Sequence, residues 1–126
     1  YSKTVTEADI VAFAGVSGDT NPVHLSEQFG RAGMFQGRIA HGMLSAAFIS
    51  TVIGTKLPGP GAIYMGQTLR FMAPVRAGDT VNTRVTVREL NDEKARATLD
   101  TICLVGEDAV IEGEALVKVP LRDPPD

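Results

Sequence analysis

The stretch Ala40-His41-Gly42-Met43-Leu44-Ser45-Ala46-Ala47-Phe48-Ile49-Ser50-Thr51-Val52-Ile53 carries no charged residue. Read as a helix it is roughly 20 Å long, with apolar or small side chains on every face. Such a helix has to be enclosed, and it falls short of the roughly 20 apolar residues that a membrane span needs. The second half of the chain can enclose it. Ile63 to Phe71, Asp79 to Leu90, Lys94 to Val105 and Ala109 to Val119 are long segments with period-two character. Val81, Val85 and Val87 alternate with Asn82, Arg84, Thr86 and Arg88, and Ile111, Gly113, Ala115 and Val117 interleave with Val110, Glu112, Glu114 and Leu116. Asn91-Asp92-Glu93 and Gly106-Glu107-Asp108 supply the tight reversals of an antiparallel meander. The economical solution is an α+β domain in which a long antiparallel sheet curls around one central buried helix.

The first half reads as helical and irregular, up to a boundary at Pro58-Gly59-Pro60-Gly61. Tyr1 to Val5 is β-permissive. Thr6 fits an N-cap for a short helix through Val16, with Glu7 and Asp9 in its positive first turn and Ile10, Val11, Phe13 and Ala14 as its buried stripe. Gly15 to His24 is dense in turn formers, and Pro22 disfavours helix at Asn21, so the stretch reads as a loop. A brief helix over Ser26 to Gly30 and a Gly-rich link from Arg31 to Gly37 follow.

With 126 residues, 44% of them hydrophobic, the chain makes one domain, placed at residues 1–121, and the tail Arg122-Asp123-Pro124-Pro125-Asp126 reads as disordered. A chain this short buries roughly 65% of its unfolded surface, so pairing with a second copy is expected. The net charge of −3 comes from 12 basic and 15 acidic side chains without a Lys/Arg block, which disfavours nucleic acid and membrane partners. Cys103 is the only cysteine, so no internal disulfide forms and a reducing, cytoplasmic setting is expected.

Asp19 and His24 stand five positions apart across a segment loosened by Gly18 and stiffened by Pro22. A carboxylate and an imidazole that converge on one small polar molecule can hold a water, withdraw one proton and deliver another. Spacing alone equally allows Asp19 to cap a turn and His24 to be a hydrogen-bonded packing residue. Asn21 reads as a turn former, supporting at most. Gly42 opens the uncharged helix, where unpaired backbone N–H groups and a partial positive charge could hold an oxyanion; the competing reading is close packing of helix on sheet. His41 is read as a helix cap or a packed polar group, outside the catalytic set. Ser50, two turns on, fits a hydroxyl bonded back to a carbonyl. His24 and His41 lie 17 positions apart without a Cys partner, so no metal is expected. No Walker loop or dinucleotide fingerprint is present, and Ser17 and Ser45 lack a nucleophile-elbow context.

Val16-Ser17-Gly18-Asp19-Thr20-Asn21-Pro22-Val23-His24 resembles the signature of the R-specific enoyl-CoA hydratases, the MaoC-like (hydratase 2) branch of the hot dog fold. Ile39-Ala40-His41-Gly42-Met43-Leu44 is similar to the start of that family's central helix, and Pro58 to Pro74 to the turn and strand that follow, so the likeness covers nearly the whole chain. The resemblance implies a hot dog homodimer acting on a coenzyme A thioester, with Asp19 and His24 catalytic, the Gly42 N–H as oxyanion donor, Ser50 in support, and no cofactor. The implied reaction is reversible syn hydration of a trans-2-enoyl-CoA to the (R)-3-hydroxyacyl-CoA, linked to β-oxidation and polyhydroxyalkanoate synthesis. His24 is expected to take the water proton and Asp19 to protonate C2, the opposite assignment staying open because a coupled pair need not titrate as separate residues. Ile53 and Val117 are the guesses for side chains that close an acyl tunnel. The alternatives are a 3-hydroxyacyl-acyl-carrier-protein dehydratase, a hot dog thioesterase, and a non-catalytic acyl-CoA-binding module.

Overall fold

A computed structural model describes residues 1–120; the tail 122–126, expected to be disordered, lies outside the described residues. The element order is β1 (Ser2–Thr4), α1 (Glu7–Ser17), α2 (Pro22–Leu25), α3 (Glu27–Ala32), α4 (Gly42–Thr55), β2 (Ile63–Phe71), β3 (Thr80–Asn91), β4 (Arg96–Val105) and β5 (Asp108–Lys118). The strands form one antiparallel sheet in the order β1-β3-β4-β5-β2. β3, β4 and β5 make the expected meander. β2 does not join it in sequence order: it pairs with β5 and becomes an edge, while β1 closes the opposite edge beside β3.

The core lies between α4 and the sheet. Leu44, Phe48, Ile49 and Ile53 on the helix belong to one cluster with Val81, Leu99, Cys103, Ile111, Ala115 and Val117 on the strands. The inward positions of β4 (Ala97, Leu99, Thr101, Cys103) follow the period of two, as a one-sided sheet requires. Ile53 and Val117 are fully packed in this core. Neither side chain lines the cavity at the N-terminus of α4.

Two further expectations are revised. α4 is not enclosed on every side: Met43, Ala47, Ser50 and Gly54 form a line along it at helical spacing and are exposed, since the sheet covers only the opposite face. On α1, Ile10 and Ala14 are buried but Val11 is 57% exposed. Positions 10, 13 and 14 share a helix face, whereas position 11 lies about 100° around from Ile10.

α1 begins as its sequence requires. The Thr6 hydroxyl accepts from the Asp9 N–H at 3.1 Å and the Asp9 carboxylate accepts from the Thr6 N–H at 2.9 Å, a reciprocal capping box. It ends at Gly18, whose φ of +78° is the left-handed conformation that glycine adopts without strain.

Candidate active site

The segment read as a loop contains one helical turn. Asn21 caps it, its Oδ1 accepting from the Val23 N–H at 3.1 Å, and Pro22 occupies the first helical position, where its missing N–H costs nothing. His24 therefore sits on α2, a more rigid mount than a loop, and is only 8% exposed.

Asp19 and His24 come together, with Asp19 Oδ2 3.8 Å from His24 Nε2. That is too long for a direct hydrogen bond and short enough for both atoms to touch one small molecule between them. Each partner is held from its far side. His24 Nδ1 lies 2.8 Å from the Ile39 carbonyl, which can only accept, so Nδ1 carries the hydrogen and Nε2 is the atom turned to Asp19. Asp19 Oδ1 accepts from the Asn21 N–H at 3.2 Å, leaving Oδ2 for His24, and the Asp19 N–H donates to Ser17 Oγ at 3.1 Å. The Asp19 side chain is 52% exposed, so the gap is reached from solvent.

His41 joins them, which its sequence distance concealed. It is 2% exposed, its ring is stacked on His24 with centroids 3.8 Å apart, and Phe13 covers it at 4.9 Å. Its Nε2–H donates to the Asp19 carbonyl at 2.9 Å. It occupies the N-cap position of α4 without making a side-chain cap bond. Ligand-type atoms of Asp19, His24 and His41 all lie within 4.8 Å of one another. The rings are a poor fit to a metal, because planes that are stacked and only 27° apart do not meet within the ~2 Å of an in-plane metal–nitrogen bond.

Beside this cluster a cavity of about 390 Å³ opens at the N-terminus of α4. His41, Gly42, Met43 and Ser45 line its helix side, and Phe35, Phe71 and Met72 are among its apolar walls. Neither Asp19 nor His24 lines it; His41 does, and lies against His24. Gly42 is the first residue of α4, where N–H groups have no intrahelical acceptor. A Cβ at Gly42 would stand 2.6 Å from Phe71 Cε1, so the glycine serves close packing as well as bordering the cavity. The loop beneath is clasped by Arg76, whose guanidinium donates to the carbonyls of Phe35 and Arg38, next to the Ile39 carbonyl that orients His24. Ser50 lies two turns along α4 from Gly42, about 12 Å along the axis, is exposed, and is not among the residues that line the cavity. His41, read as a helix cap or a packed polar group, is buried at the N-cap position, and only its contact with the pair was not foreseen; Phe71 and Arg76 were missed from sequence because their roles depend on contacts distant in the chain. Only the His41-Gly42 adjacency at a helix start gave any signal.

Residues 1–108 match the MaoC like domain family. The chain belongs to the MaoC-like family. A MaoC-like relative, the (R)-specific enoyl-CoA hydratase of Rhodospirillum rubrum, is 58% identical over 96% of this chain and 84% of that protein. The 3-hydroxybutyryl-CoA dehydratase of Methylorubrum extorquens is 52% identical over 98% of this chain and 79% of that protein. Among solved structures, the (R)-hydratase from A. caviae involved in PHA biosynthesis superposes with a TM-score of 0.92 at 43% identity, covering 95% of this chain and 92% of that one. The expected hot dog fold of this MaoC-like chain is therefore established.

Proposed function

We propose that this chain is an (R)-specific enoyl-CoA hydratase, adding water reversibly across a trans-2-enoyl-CoA to give the (R)-3-hydroxyacyl-CoA. The observation that carries the reading is the 3.8 Å gap between Asp19 Oδ2 and His24 Nε2, each held from its far side, next to the uncapped start of α4. The names of the two similar relatives and of the A. caviae structure support the same reaction class.

The chemistry follows from the gap. A water held between the two groups attacks C3 of the enoyl thioester, His24 Nε2 takes one of its protons, and Asp19, which enters the cycle as the carboxylic acid, delivers its Oδ2 proton to C2 on the same face. The proton count closes when His24 returns its proton to Asp19 across the same gap, and dehydration runs the steps backwards. Charge that develops on the thioester oxygen falls on the Gly42 N–H, a kind of contact whose removal costs about 3 to 4 kcal/mol of transition-state stabilisation in other enzymes. Asn21 supports by capping the turn that carries His24. No metal or redox cofactor enters, because the conjugated thioester is already activated.

The working form in this proposal is a homodimer. β2 is an edge strand with Ile63, Tyr64, Met65 and Phe71 exposed, an apolar edge that a second copy would cover. The single domain is set at residues 1–121. Among the described residues no helix is long and apolar enough to cross a membrane, and a reducing cytoplasm suits the buried Cys103 thiol. A role in supplying (R)-3-hydroxyacyl-CoA for polyhydroxyalkanoate synthesis is part of the same reading.

The test is crotonyl-CoA hydration followed by loss of enoyl thioester absorbance, with thiol release and product chirality measured together. The (R)-3-hydroxy product without free coenzyme A is expected. Released thiol would indicate a thioesterase, turnover confined to acyl-carrier-protein substrates would indicate the dehydratase, and binding without turnover a non-catalytic module.

A further inference from the structure

Resting on the hydratase reading, we propose that His41 is a positioning residue of the reaction, holding the Asp19–His24 gap open at its working width through a hydrogen bond to one partner and a ring contact with the other. The Nε2–H of His41 donates to the Asp19 carbonyl at 2.9 Å, and its ring face lies on His24 at 3.8 Å. It is the one described side chain that makes both contacts.

The reason to assign it a task is the cost of its presence. His41 is buried, and its Nδ1 has no hydrogen-bond partner among the described residues. A buried polar atom left unpaired destabilises a fold, and an apolar side chain between Phe13 and His24 would carry no such penalty. Capping α4 does not account for it, since no side-chain cap bond forms. What the polar ring gains in the structure is the bond to the Asp19 carbonyl. The bonds to Ser17 Oγ and from the Asn21 N–H tie Asp19 only to its own turn, which directly follows the left-handed Gly18; the His41 bond ties that turn to α4. The stack in turn restrains the tilt of the His24 ring, whose other fixed point is the Ile39 carbonyl. A reacting pair displaced by about 1 Å loses on the order of 100-fold in rate.

His41→Gln and His41→Met separate the donor from mere volume. Both are unbranched and of similar length, and only Gln can donate to the Asp19 carbonyl. With crotonyl-CoA, the Met variant is expected to lose on the order of 100-fold in kcat with KM within about threefold of wild type, because Met keeps a side chain of similar length in the cavity wall while the bond to the Asp19 carbonyl is lost. The Gln variant should recover at least about tenfold of that loss. The inference is overturned if the Met variant keeps kcat within about twofold of wild type, if Gln and Met are equally slow, or if the loss lies in KM alone. If thermal unfolding shows the Met variant not to fold, Gln decides alone: kcat within about tenfold of wild type supports the inference, and a rate as low as that of Asp19→Ala overturns it. A wild-type chain that hydrates no enoyl-CoA overturns the functional reading and this inference with it. Active wild type with unimpaired variants overturns the inference only.

Discussion

Gly42 shows how much one missing carbon decides. A methyl group there meets the Phe71 ring at 2.6 and 2.7 Å. Phe71 is itself exposed, so its ring can swing aside and stability should change by no more than about 1 kcal/mol, helped by the better helix propensity of alanine. The displaced ring would instead disturb the cavity mouth beside the Gly42 N–H. Steady-state kinetics of Gly42→Ala should show kcat/KM falling about 10- to 100-fold, and adding Phe71→Leu should recover part of it. An undiminished kcat/KM would mean that displacing the Phe71 ring does not reach the reacting groups. Residue-level legibility was uneven. Asp19, Asn21, Pro22 and His24 could be read because their chemistry is packed into six consecutive positions. The contact of His41 with the pair and that of Phe71 with Gly42 could not, because a stack between helices and a ring laid over a glycine by a distant strand leave no local pattern.

At the scale of elements, local rules served best where the element closes on itself. The capping box of α1 was half visible as Thr6 with Asp9 in the first turn, and the structure completes it with Lys3, whose Nζ donates to Asp9 Oδ2 at 2.7 Å. The Lys3 hydrogen bond, followed by that of the Thr6 N–H, holds the Asp9 carboxyl below the ordinary carboxylate range. A carboxyl whose pKa is lower folded than unfolded stabilises the fold above its unfolded value, about 3.9, and loses that contribution as pH falls through the folded value. Denaturation of wild type and Asp9→Asn should therefore give a gap at pH 7 of up to about 1 kcal/mol that closes towards pH 2; a gap independent of pH would contradict the assignment. The strands were legible to within about two residues from their alternation. The place of β2 was not, because pairing with β5 at the far edge is fixed by packing over α4 and not by any reversal in its own sequence. For the same reason the open face of α4 escaped notice: an uncharged helix says that burial is available, not how many sides the sheet reaches.

On the scale of the whole molecule, one core joins helix and sheet, and Cys103 lies inside it with no solvent exposure, its thiol pushed up by burial against a smaller opposing effect of the Thr83 hydrogen bond. Alkylation at neutral pH should be at least about 100-fold slower in the native protein than in denaturant, since a raised pKa and burial both withhold the thiolate; comparable rates would mean the core opens freely. That rigid core fixes α4, and through its first residues the placement of His41 and Gly42 beside the Asp19–His24 gap. The account stands on those two side chains working as one unit. Its most direct test is the crotonyl-CoA hydration rate of Asp19→Ala, His24→Ala and the double variant, each verified as folded. Either single change should cost about 100- to 10,000-fold in kcat, and the double change little more, as for residues that share one task. A single variant that turns over at the wild-type rate, or losses that multiply fully in the double variant, would contradict it.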